Sequence, residues 1–306
     1  MLKKLIIACL MVVGLAGCGG DNALDLKGTN EFDNFNLTFE YAQTTSRIQP
    51  TIPSSYTLYY KPSSTTSEFL DVVFNIENKS KEKKSLNDVI KADFTIDDKD
   101  VAGNLILEKE DGSSVSKYGS LEAGQKGKLH VYADIAKGQE VKNVKMTLTV
   151  DEEERVMDTA YSDIALKREE KKIGDQIKSK TSEVTFKKVS TSETLKPSHP
   201  SSYYRYLKAK TSTNTLVILK TTVKNLQSES LSGSKILGIT FVGEDGTTYE
   251  AGGVVETKDG SSISQYGSID ANTSTTVYFV GEVAKTVKIK SANIDTLEGH
   301  YSVSCE

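Results

Sequence analysis

The chain has no tryptophan, three cysteines and three histidines among its 306 residues, and each shortage excludes something. With no tryptophan and no cysteine pair to bridge two sheets, an antibody-type domain is ruled out. There is no surplus of positive charge: 38 Lys+Arg face 42 Asp+Glu, a formal charge of −4. That balance argues against nucleic acid and against binding through a broad basic face. Beyond the first residues no apolar run approaches membrane-spanning length. No serine or cysteine nucleophile motif accompanies His130, His199 or His300. No catalytic residue, metal ligand or cofactor site is therefore assigned, and the chain reads as a non-enzyme.

What is present begins at the amino terminus. Lys3 and Lys4 form a positive segment, Leu5 to Val13 a short apolar one, and small residues precede Cys18. This order is that of a secretory signal peptide. Leu15-Ala16-Gly17-Cys18 resembles the lipobox of bacterial lipoproteins. The resemblance implies that residues 1–17 are removed and that Cys18 becomes the first mature residue. Its thiol would then carry diacylglycerol, holding the chain on the extracytoplasmic face of the cell membrane. Two acyl chains anchor stably, at about 0.8 kcal/mol per buried CH₂. Cleavage removes two lysines and no acid, so 36 basic residues face 42 acidic ones, a charge of −6. Cys305 is then the remaining thiol, with two readings: pairing with another chain, or a free terminal cysteine.

The chain is written twice. Pro50-Thr-Ile-Pro53-Ser-Ser-Tyr56 returns as Pro197-Ser-His-Pro200-Ser-Ser-Tyr203, 147 residues on. The same offset places Phe39 on Phe186, Ile76 on Val223, Asn78 on Asn225 and Phe94 on Phe241. Asp111-Gly-Ser-Ser-Val-Ser-Lys-Tyr118-Gly-Ser-Leu121 matches Asp259-Gly-Ser-Ser-Ile-Ser-Gln-Tyr266-Gly-Ser-Ile269 at 148, so one residue is inserted between. A tandem duplication divides the chain into a polar tether (18–33), a first copy (34–163), a charged linker (164–180) and a second copy (181–306). The linker reads as solvated, with room for a short helix.

Within each copy the apolar residues alternate. Phe35, Leu37, Phe39 and Tyr41 are one such set; Leu70, Val72, Phe74 and Ile76 another; Val144, Met146, Leu148 and Val150 a third. A period of two marks strands with one buried face. Asp-Gly and Ser clusters supply turns between them. Roughly seven short strands per copy predict an all-β fold of two tandem immunoglobulin-like antiparallel sandwiches.

Val72-Val-Phe-Asn-Ile-Glu-Asn78-Lys-Ser80, Ile239-Thr-Phe-Val-Gly-Glu-Asp-Gly-Thr-Thr-Tyr249 and Leu121-Glu-Ala-Gly-Gln125 are similar to segments of one group. They resemble the immunoglobulin-like domains of unknown function in Gram-positive lipoproteins, related in fold to a mycobacterial secreted immunoprotective antigen. Asn272-Thr273, where Ala-Gly or Pro-Gly is usual, departs from the pattern, as do the Ser/Thr/Tyr-rich insertions near residues 43–68 and 190–214. The resemblance implies an extracytoplasmic sandwich and brings no catalytic residue.

The duplication also acts as an internal control. His130 falls on Tyr278 and His199 on Ile52, so neither histidine is shared. Asp97, Asp98, Asp100 and Gly103 hint at a calcium loop, but Ala102 and Lys109 occupy positions that need oxygen ligands, leaving a solvated acidic turn. The insertions are shared: Tyr56, Tyr59 and Tyr60 are answered by Tyr203, Tyr204 and Tyr206. Tyrosine combines a flat apolar face with a hydroxyl, which suits recognition, and the same rings could equally pack the insertion onto the sandwich. The leading expectation is a lipid-anchored, non-catalytic binding module for a surface or envelope protein or polymer. The alternatives are a structural spacer or accessory subunit, and a pheromone precursor in which Leu10 to Gly17 is the released octapeptide. Intact mass of membrane-extracted protein from a Gram-positive host should give a chain starting at Cys18 with a diacylglyceryl group, absent in Cys18→Ala; an uncut chain would refute the anchor.

Overall fold

The computed structural model describes residues 22–52 and 58–305. The signal segment with its octapeptide, Cys18 and Tyr56 lie outside the described residues. No helix among the described residues is long and apolar enough to cross a membrane.

The alternating segments form strands, and those strands form sandwiches. In the first copy one sheet runs Thr29–Glu31, Phe35–Thr45, Ser67–Asn78, Lys126–Ala136, Asn104–Lys109 and Val115–Ser116. The facing sheet runs Glu153–Ala160, Asn143–Val150, Ile90–Ile96 and Lys99–Ala102. Val72, Phe74, Leu129 and Val131 from one layer meet Phe94, Val144, Met146 and Leu148 from the other in one buried core. The second copy builds its equivalent core around Phe186, Leu219, Ile239, Phe241, Phe279 and Ile294. The protein is all-β, with two tandem sandwiches.

Where one layer hands over to the other, the copies differ. In the first, Gly103 sits between Lys99–Ala102, which pairs with Ile90–Ile96, and Asn104–Lys109, which pairs with Lys126–Ala136. A Cβ on Gly103 would lie 2.4 Å from the Ala92 carbonyl oxygen, so the crossing demands glycine. In the second copy a continuous strand, Thr248–Glu256, pairs with both Gly238–Gly243 and Ser274–Ala284. The inserted residue falls in the preceding hairpin. Asp97 and Asp98, both at positive φ, turn the chain in the first copy, whereas Glu244-Asp245-Gly246 does so in the second, with Gly246 at φ 78°. Two left-handed residues match the twist of the flanking strands, and a glycine absorbs the longer loop. Thus the acidic cluster is hairpin chemistry: Asp97 accepts the N–H groups of Lys142 and Asn143, and Asp100 accepts the Thr95 hydroxyl.

Three boundaries differ from the sequence reading. Part of the expected tether is folded, since Leu24 and Phe32 are buried in the first core and Thr29–Glu31 pairs with Phe35–Thr45. The expected linker is also structured. Ile164 joins the first core, Glu169–Lys171 runs parallel to His300–Ser304, and Gln176–Lys178 pairs with Ser182–Ser192. Isolated apolar anchors (Leu24, Phe32, Ile164 and Ile177) and backbone pairing at sheet edges decide both, and neither leaves an alternating pattern to read. Asp151 and Glu152, both at positive φ, turn the hairpin between Asn143–Val150 and Glu153–Ala160. Asn272, the odd residue of its turn, takes φ 56° where its counterpart Gly124 has 72°, a conformation asparagine tolerates better than most residues.

Tyr41 breaks its alternating set. The pairing of Phe35–Thr45 with Ser67–Asn78 slips between Phe39 and Tyr41, and the second copy slips at the equivalent Phe186/Lys188. A bulge inverts the faces beyond it, so Ala42 enters the core and Tyr41 turns to the outer face.

Each copy is pinned by a fully buried asparagine. Asn78 Nδ2 donates to the carbonyls of Glu82 and Leu121, at 2.8 and 2.9 Å. Asn225 repeats this with Glu229 and Ile269, at 2.7 and 3.0 Å. Truncation would orphan the buried Leu121 and Ile269 carbonyls. Asn225→Ala should therefore cost about 1–3 kcal/mol, read by urea unfolding followed through tyrosine fluorescence; an unchanged midpoint would contradict this role.

Candidate functional site

The outer face of the main sheet, away from the core, carries a second small cluster in each copy. Ile48, Phe69, Ile106, Val115 and Tyr132, with Tyr60 packed against them, form it in the first. Leu195, Leu216, Val254 and Ile263, with Leu207 and Val280, stand at the equivalent places in the second. These residues seat the long insertion. Ile48 pairs with Tyr60 as Leu195 pairs with Leu207.

Beside each cluster lies a buried glutamate. Glu108 is 1% exposed and Glu256 5%, and each accepts a backbone N–H from the insertion, from Thr51 and Ser198 respectively. The glutamates are equivalent at the 148 offset, and their partners at 147. A buried carboxylate needs more than one donor, and the copies answer differently. In the second, the Tyr278 hydroxyl lies 3.2 Å from Glu256; burial first, then the carboxylate, raises that phenol well above its usual range. In the first, His130 takes the place of Tyr278. Its Nε2 is 3.4 Å from Glu108 and its Nδ1 3.1 Å from Asp71, which Gln43 also contacts. Burial alone would lower the imidazole's pKa, but Asp71 and Glu108 overrule it and push it up to about 10. His130 is thus an imidazolium clamped between two carboxylates.

This triad forms part of the floor of a cleft of about 310 Å³ between the copies, lined also by Tyr41, Arg47, Arg168, Glu250, Asp295 and His300. Most of its charges are paired across or along the junction. Arg47 and Gln49 meet Glu250 at 3.3 and 3.0 Å, and Arg168 meets Asp295 at 2.7 Å. His300 bonds Asp295 at 2.6 Å, while its ring stands edge-on to Tyr41 at 4.7 Å. Burial would raise the Asp295 carboxyl, but His300 and Arg168 hold it low. Burial, then Asp71, Asp295 and Glu108, push the Tyr41 phenol up. With its ions satisfied internally, the cleft behaves as a polar lock between the copies.

The tyrosines divide. Tyr60 is a packing ring, and its hydroxyl accepts the N–H of Lys117. Tyr59 is 45% exposed, Tyr203 95% and Tyr206 57%, and Tyr204 is half-buried, 6.3 Å from the Tyr206 ring. Tyr118 and Tyr266 sit in segments whose Gly and Ser spacing is turn chemistry. They are indeed held in turns, each backbone N–H bonded to the serine two residues earlier, yet their rings are 87% and 75% exposed. Tyr204, Arg205, Tyr206 and Tyr266 line one open groove of about 290 Å³ floored by Leu207, Val254 and Ile263. The glutamates and Asp71 were also missed; the Glu108/Glu256 match within otherwise apolar strands was the available signal. Burial pushes the Cys305 thiol up to about 11, so it carries little thiolate.

These features define a tandem β-sandwich protein with a polar junction and aromatic outer loops. No protein-family model matches the chain, and no curated protein matches it. Among solved structures it is similar to an uncharacterized beta-sandwich protein from Clostridium difficile 630, at 22% identity and a TM-score of 0.42, over 46% of this chain and 96% of that one. A conserved hypothetical protein from Bacillus anthracis is similar at 14% identity and a TM-score of 0.30, over 44% of this chain and 94% of that one.

The raised His130 pKa sets a pH dependence. Its contribution is full below about 6.5, the ordinary value, and is lost as pH rises towards 10. His130→Ala, which leaves two buried carboxylates facing each other, should cost about 3–5 kcal/mol. His130→Tyr with Asp71→Ile, the second copy's solution, should fold and flatten the dependence. Melting temperature against pH for the three proteins checks this; a double variant as alkali-sensitive as the parent would refute the triad.

Proposed function

We propose that the protein is a lipid-anchored, non-catalytic binding module on the extracytoplasmic face of a Gram-positive cell membrane. It would belong with the immunoglobulin-like lipoproteins it resembles in sequence, held by Cys18. The observation that carries the binding role is that both copies keep a tyrosine at the same rigid turn with its ring in solvent, Tyr118 and Tyr266. A ring that only stabilised the fold would be buried, and exposing an aromatic face to water gains nothing for folding. Tyr59 and Tyr206, equivalent at the 147 offset, add a second exposed ring to each copy. Two such surfaces on one chain raise avidity when both engage. The cleft's self-paired charges favour a second reading, a rigid spacer or accessory subunit of an envelope complex.

Full-length protein carrying Tyr118→Ala and Tyr266→Ala should bind envelope preparations at least about tenfold more weakly than the parent, the loss typical of anchor rings, with its melting temperature unchanged. Equal binding would remove the exposed turns from the function, and reproducible protein cross-links in intact cells would then favour the accessory role.

A further inference from the structure

We infer that the second copy's aromatic groove takes a segment of an anionic, sugar-containing polymer, an inference that rests on the binding-module reading above. The groove is shaped for part of a chain rather than for a whole small molecule. Its volume of about 290 Å³ sits at the small end of ligand sites, and those normally enclose their ligand, whereas this one is open along its length.

Its chemistry is selective. Tyr204, Tyr206 and Tyr266 offer three rings, two of them 6.3 Å apart and tilted by 58°. A pyranose presents a face of C–H bonds that lies flat on such a ring, with hydroxyls around its edge. Ser264 and Gln265 line it with groups that meet hydroxyls, and among the described residues Arg205 is the one charged side chain lining the groove. Among those residues no carboxylate lines it, although the chain as a whole has more acids than bases. A lone guanidinium among rings accepts a carboxylate or phosphate and rejects a cation.

The turn that carries Tyr266 is also preorganised. The Ser264 hydroxyl accepts the Tyr266 N–H at 3.2 Å, and a Cβ on Gly267 would lie 2.8 Å from Val255 Cβ, so the turn sits tightly on the sheet. The first copy repeats this at Tyr118: a Cβ on Gly119 would lie 2.3 Å from Leu107 Cβ. There too cations accompany the rings, with Lys61 Nζ 5.1 Å from the Tyr59 centroid and Lys117 Nζ 5.1 Å from that of Tyr60. Both copies thus place exposed rings beside a cation, although at different positions: Arg205 falls on Leu58 and Lys117 on Gln265. Two like surfaces on one chain match a ligand that itself repeats.

The test uses the full chain in detergent and Gram-positive sacculi in three forms: untreated, protease-stripped, and protease-stripped then freed of anionic polymers with hydrofluoric acid. Binding should survive protease and fall at least about tenfold after acid treatment. Tyr206→Ala with Tyr266→Ala should weaken it as much, and Arg205→Glu should do so with loss of its salt dependence. Both rings are more than half exposed, and an unchanged melting temperature certifies each variant. Loss of binding on protease treatment would mean a protein ligand, overturning the polymer but not the binding module. Binding unaffected by acid treatment would overturn the anionic polymer. No binding to any sacculi, or equal binding by the ring variants, would overturn the inference.

Discussion

A carboxylate buried on the outer face of a β-sheet governs where each copy's insertion lies. Glu108 and Glu256 each hold one backbone N–H of the segment that crosses above them. The same segment donates from Ile52 to the Gly112 carbonyl and from His199 to that of Gly260, and packs small apolar clusters around Ile48 and Leu195. A glutamate so placed is costly unless a further donor reaches its carboxylate. The partner strand supplies the answer two positions along, as His130 in one copy and Tyr278 in the other. The protonated imidazole then requires Asp71, and Asp71 brings in Gln43. A chain of polar residues thus follows from one buried charge, and in the first copy it runs to the junction with the second.

That consequence separates the roles of two superficially similar regions. The cleft is rich in ionisable groups, which ordinarily draws attention as a site of chemistry. Here the perturbed groups explain one another: the His130 triad closes on itself, and Arg168, Asp295 and His300 close on one another beside the junction. The aromatic groove has Arg205 as a lining charge, and its Tyr206 and Tyr266 rings stand more than half exposed to water. Unspent surface is the better guide to recognition than a network whose donors and acceptors are already matched.

The duplication supplies comparison within a single chain. What both copies retain is the buried asparagine turn, the buried glutamate, the bulge after Phe39 and Phe186, and the exposed tyrosine turn. What they changed is the glutamate's partner, the layer crossing at Gly103 and the length of one hairpin. Retained features include both structural pins and an exposed ring, and only the ring lacks a folding role.

The sequence by itself determined the duplication, the strand alternation and hence the sandwich class, because burial of one strand face imposes a period of two on the residues themselves. It also determined that the tyrosines recur. It did not distinguish Tyr60, which packs, from Tyr59 and Tyr206, which do not, since a ring's burial depends on which strand lies beneath it. Tyr41 left its expected face because a one-residue slip in pairing has no compositional mark. The tether and linker were not legible because a few isolated apolar anchors (Leu24, Phe32, Ile164, Ile177) and edge-strand hydrogen bonds set them, and neither leaves a period in the sequence. Asp71, His130 and Glu108 are far apart in sequence, and only the pairing of three strands sets them diagonally across one face, where mutual charge compensation makes their burial tolerable.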